Sequence, residues 1–87
     1  MQNQQPPRNT AEPLLLNEFK AGQRVRLEQI RGDRSLARRL LGLGLRNGVE
    51  LDIIQFRSNG VVVARGETRI ALGAGVTDKL LVVPLES

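Results

Sequence analysis

The chain contains no cysteine, no histidine, no tryptophan and no tyrosine, and Phe19 and Phe56 are its only aromatic residues. Without cysteine there is no disulfide and no thiolate metal ligand. Without histidine the commonest general base and the commonest transition-metal ligand are both missing. Ser35, Ser58 and Ser87 therefore have no candidate base, and no Gly-x-Ser-x-Gly or phosphate-loop pattern occurs. An enzyme is not expected. Gly42-Leu43-Gly44 is not a dinucleotide fingerprint, because it closes a helix where that fingerprint opens one. The scarcity of aromatics also removes the stacking platforms of single-strand nucleic-acid binders and the aromatic groove of polyproline readers. No apolar run approaches the roughly 20 residues of a membrane helix. The N-terminal MQNQQPPRNTAEP lacks the apolar core of a signal peptide, so a cytoplasmic protein is expected.

What remains is a chain of 87 residues, enough for one small domain. Thirteen Lys and Arg stand against nine Asp and Glu, a net charge of +4. That mild excess favours anionic partners without selecting nucleic acid among them. Residues 1–13 are polar and rich in Gln, Asn and Pro, and they predict a disordered tail. The ordered domain is expected over 14–87. Leu14, Leu15, Leu16 and Phe19 form an apolar lead-in of about one helical turn.

Hydrophobic periodicity sets out the rest. Gln23 to Ile30 alternates, with Val25 and Leu27 on one face and Arg24, Arg26 and Glu28 on the other, which predicts a half-buried strand. Asp33 or Ser35 caps a short helix running to about Leu41. Its wheel gathers Leu36, Ala37, Leu40 and Leu41 on one face and Ser35, Arg38 and Arg39 on the other. Gly42 or Gly44 supplies the left-handed residue that ends it. In the segment RRLLGLGLRNG, Leu43 and Leu45 are expected in the core, holding the loop in shape, while Gly44 and Gly48 set its turns.

After Gly48 the period returns to two. Val49, Leu51 and Ile53 share a face, opposite Glu50 and Asp52. Ile54 and Phe56 then change parity, which calls for a bulge or for burial on both sides. Ser58-Asn59-Gly60 and Gly66-Glu67 are hairpin turns flanking the strand Val61–Arg65. Thr68–Leu72 and Leu80–Leu85 complete about five strands, with a loop or helical turn over Gly73–Asp78. The fold class expected is mainly β, a small barrel with one inserted helix, since closure removes exposed strand edges.

The succession RRLLGLGLRNG, VELDII, VVVARGETRIAL and LLVV resembles the family of ferrous iron transport protein A, FeoA, from about Leu14 to Leu85. Arg39-Leu40 and Leu43-Gly44-Leu45 match its helix-end motif, followed by Arg46 and Asn47-Gly48; Asn47 stands where the family usually has proline. Ser58-Asn59-Gly60 stands in the region where the family usually has a Gly-Asp-Pro turn. The resemblance implies an SH3-like barrel and a cytosolic accessory protein of bacterial ferrous iron uptake. It implies FeoB, the membrane transporter with a cytosolic G-protein domain, as partner. It also implies transition-metal binding, here Fe2+, for which this chain offers only carboxylates such as Glu50 and Asp52.

The basic cluster Arg31, Arg34, Arg38, Arg39 and Arg46, interrupted by Asp33, is the candidate docking patch. Arginine forks bidentately onto carboxylates, and charge steers protein encounters. Leu40, Leu43, Gly44, Leu45 and Gly48 form the structural motif beneath it. The alternatives are a basic barrel that binds nucleic acid and an SH3-like regulatory module. Apolar residues on both strand parities, namely Ile54, Phe56, Val62, Leu81 and Val83, would mark a surface for homo-oligomers or for a partner if any surplus is exposed.

Overall fold

The computed structural model describes residues 12–85, so the expected tail lies almost wholly outside the described residues. Six antiparallel strands form one sheet in the order β1-β6-β2-β3-β4-β5. They are β1 (Leu14–Leu15), β2 (Arg24–Ile30), β3 (Glu50–Arg57), β4 (Gly60–Arg65), β5 (Thr68–Gly73) and β6 (Leu80–Pro84). The sheet has the SH3-like form, with helix α1 (Arg34–Gly42) between β2 and β3 and one turn of helix, α2 (Ala74–Thr77), between β5 and β6. The sixth strand, β1, joins the about five expected. Leu14 and Leu15 pair with Val82 and Leu81, and a 3-10 turn follows over Leu16–Glu18. A two-residue strand carries no periodicity of its own and exists only through this distant pairing.

One core fills the inner face. Val25 and Leu27 of β2, Leu51 and Ile53 of β3, Val61 and Val63 of β4, Ile70 and Leu72 of β5, and Leu80 and Val82 of β6 are all buried. These are the alternate positions that the pleat turns inward. Leu16, Leu36, Leu40 and Leu45 close the ends of the same cluster. The parity change in β3 is a register shift between Ile53 and Gln55 opposite β4. The extra residue re-aims the strand, leaving Ile54 and Phe56 half-buried.

Leu81 and Val83 face away from the core cluster and are nonetheless buried. They lie opposite Leu15, Gln29 and Arg26 in the neighbouring strands. The large apolar residues exposed among the described residues are Leu14, Leu41 and Leu43, so the strand residues expected as a surplus are not the exposed ones.

Helix α1 starts where Asp33 accepts a hydrogen bond from the Leu36 backbone N–H at 2.9 Å. Removing that cap in Asp33→Ala should cost about 1 kcal/mol, measured as a shift of the urea midpoint. The helix ends in a Schellman motif. Gly44, at φ +85°, sends its N–H to the Leu41 carbonyl, and Leu45 N–H reaches back to Leu40 at 2.9 Å. That motif fixes which leucine goes inside. Leu45 folds back onto Leu40 and is fully buried, whereas Leu43, at the cap, points outward and is 46% exposed. The expectation that Leu43 is core is corrected, and so is the wide apolar face. Leu36 and Leu40 are buried, but Ala37 and Leu41 are exposed, because α1 meets the barrel along a narrow stripe.

Candidate interaction surface

All five arginines of the candidate patch, Arg31, Arg34, Arg38, Arg39 and Arg46, are exposed. Successive helical residues are 100° apart, so Arg34 and Arg38 lie on the face opposite the buried Leu36. Arg39 sits on the flank, beside Leu36, Leu40 and Leu43 and across from β5. Arg31 precedes the helix and Arg46 follows its closing loop. A nine-residue helix is about 14 Å long, so these end residues are not brought to one point. The structure makes a stripe of positive charge along α1 with Arg34, Arg38 and Arg39 at its centre.

Nothing among the described residues neutralises that stripe. The ion pairs of the described residues are Arg24 with Asp52 at 3.2 Å and Arg26 with Glu28 at 2.7 Å, both on β-strands. Asp33, the only acid within the segment 31–46, spends its carboxylate on the helix cap. Arg34 and Arg38, one turn apart, repel each other by a few tenths of a kcal/mol. Positive charge arranged in this way suits contact with an anionic surface.

The motif residues sort themselves clearly. Leu40 and Leu45 anchor the loop, Gly44 and Gly48 turn it at positive φ, and Leu43 is left on the outside. The Gly48 N–H bonds to the Leu27 carbonyl at 2.7 Å, tying the loop to β2. Gly44 has a second role. A Cβ there would lie 2.5 Å from Nε and 2.7 Å from Cζ of Arg65, so the missing side chain seats that guanidinium. Arg65 Nε is buried and has no hydrogen-bond partner among the described residues. Arg65, and with it Arg69 and the outward Leu41, are surface features that sequence reasoning missed. No periodicity places β5 beside the end of α1.

Among the described residues no three His, Cys, Asp or Glu side chains come together. Of the carboxylates on β3, Asp52 is committed to Arg24 across the strand pair. Phe19 and Phe56 pack against the core, which leaves no aromatic platform for bases. No helix among the described residues is long and apolar enough to cross a membrane.

Comparison with known proteins follows the fold. The sequence pattern of the FeoA domain family matches residues 14–84. A crystal structure of an iron uptake regulatory protein (FeoA) superposes with a TM-score of 0.77 at 23% identity, covering 84% of this chain and 99% of that one. The NMR structure of a FeoA-like protein from Clostridium acetobutylicum gives 0.77 at 18% identity, covering 90% of this chain and 93% of that one. A manganese-dependent transcriptional repressor also gives 0.77, at 20% identity, but 84% of this chain spans only 42% of the repressor. At these identities the likeness to the solved structures is one of fold. No match was found among curated protein sequences.

Proposed function

The chain belongs to the FeoA domain family, and from that premise we propose that it is a non-enzymatic accessory protein of ferrous iron uptake that docks onto a FeoB-type transporter. Fe2+ is then the cargo of the partner, and the place of action is the transporter's cytosolic side. The observation that carries the docking reading is the uncompensated stripe on α1. Arg34, Arg38 and Arg39 project from a short helix held firmly at both ends, and no carboxylate among the described residues answers them. A rigid basic ridge of this kind suits recognition of an acidic protein surface, with charge raising the encounter rate.

The test is co-purification of the full chain with the detergent-solubilised transporter. Arg38→Glu combined with Arg39→Glu should weaken capture about tenfold or more while the thermal melt of the free protein stays in place. Undiminished capture by the folded double variant would remove the ridge from the account.

The match to part of a manganese-dependent repressor favours a second reading, in which the barrel is a regulatory module that contacts other domains rather than a transporter. The same experiment separates the two readings, because a module of that kind has no affinity for the transporter.

A further inference from the structure

Beside the basic ridge, on the flank of α1 that turns toward β5, lies a trough with different chemistry. Strand β5 pairs with β4 on one side alone, so among the described residues its other edge offers backbone N–H and C=O groups to no strand. The end of α1 and its closing loop stand opposite that strand. Between them run two depressions of about 580 and 360 Å³, which meet at Leu43 and Ala71. Leu41 and Leu43, 55% and 46% exposed, give the trough an apolar wall. Arg65 and Arg69 line one depression and Arg39 the other, and no carboxylate lines either.

The trough thus joins an open strand edge, two leucines that the fold holds outward, and positive charge without a counter-charge. Arg65 is held in place on this wall, its guanidinium against Gly44 and its Nε buried, while the residue lines the depression.

We propose that this trough binds an extended segment of a partner protein, apolar and acidic in composition, as an added strand along β5. The segment's backbone would continue the sheet, its apolar side chains would cover Leu41 and Leu43, and its carboxylates would meet Arg65 and Arg69. Charge complementarity selects this occupant: a basic or polyproline segment would face three arginines, and the trough has no aromatic residue to receive prolines or bases. The proposal goes beyond the transporter reading and does not depend on it, because the partner is defined by its chemistry; the surface excludes Arg34 and Arg38 and shares Arg39 alone with the ridge, so its own test variants are Leu43→Ser and Arg69→Glu.

The experiment is an NMR titration of the isotope-labelled full chain with a short synthetic peptide that alternates glutamate and valine. Saturable shifts are expected at the amides of Thr68–Gly73 and at the methyl groups of Leu41 and Leu43. Affinity should fall about tenfold in Leu43→Ser and, separately, in Arg69→Glu. Both residues are exposed, so the variants should fold, and the dispersion of their spectra checks this. Any of four results would overturn the proposal: no saturable shift up to about 1 mM peptide; shifts confined to the Arg34 and Arg38 face; equal binding of a peptide with lysine in place of glutamate; or unchanged affinity in both variants. Phosphatidylglycerol vesicles form a parallel arm. If they broaden the Leu41 and Leu43 methyl signals while the peptide does nothing, the surface belongs to lipid and the proposal is wrong.

Discussion

Gly60→Ala should destabilise the protein by about 3 kcal/mol or more. For a domain of this size that lowers the melting temperature by more than about 10 °C. Gly60 opens β4 at φ +155°, directly opposite Gly73 of β5. A Cβ there would collide with the Leu72 carbonyl oxygen and would come within 3.0 Å of the Leu72 carbonyl carbon and Gly73 Cα. These are backbone atoms, with no rotamer to escape into. The collision is relieved only by parting β4 from β5, whose register places core residues Val61 and Val63 beside Leu72 and Ile70. Gly75→Ala is the matched control. Gly75 lies in α2 and a Cβ there meets nothing within 4 Å, so alanine should be neutral or slightly stabilising. Thermal melts of the two variants side by side measure the difference. A Gly60→Ala protein that melts with the wild type would show that the hairpin is not held this closely.

The second large effect separates two leucines two residues apart. Leu45→Ala should cost about 2–5 kcal/mol, because it empties a fully buried position that closes the core against Leu40. Leu43→Ala should cost well under about 1 kcal/mol, since that side chain is already half in water. Denaturant midpoints with unchanged slopes read both values. Equal losses at the two sites would contradict the Schellman geometry at Gly44. The asymmetry also bears on function. A leucine the fold does not need inside, held outward by a glycine turn, is available to a partner at little cost to stability.

Strands β2, β3 and β5 were legible because each one, taken alone, alternates. Val25 and Leu27, Leu51 and Ile53, and Ile70 and Leu72 each declare an inner face, and the parity change at Ile54 calls for a bulge or for burial on both sides, of which the register shift between Ile53 and Gln55 is the first. The turn at Gly66 was equally plain, with Arg65 and Thr68 paired across it at a glycine of φ +62°. What could not be read was set by contacts distant in sequence. β1 exists because β6 returns beside it, and Leu14 and Leu15 alone have no period to show.

The reading of Leu43 and Leu41 failed for a different reason. A helical wheel assigns faces but does not say how wide the contact with the barrel will be, and it stops at the C-cap, where Gly44 redirects the chain. Of the candidate surface, the arginines of α1 were visible as a cluster. The trough was not, since it requires β5, more than twenty residues downstream of the end of α1, to lie alongside it. Arg65 looks like any strand-end arginine until the space left by Gly44 is seen beside it.

The docking claim is tested most directly by the dissociation constant of the full chain for the full-length FeoB-type transporter, measured for the wild type and for the Arg38→Glu, Arg39→Glu double variant at low and moderate salt. The account predicts binding that weakens as salt rises through the range where the Debye length falls below about 10 Å, and that is about tenfold weaker or more in the double variant at low salt. Binding that is insensitive to salt and equal in the folded double variant would contradict it.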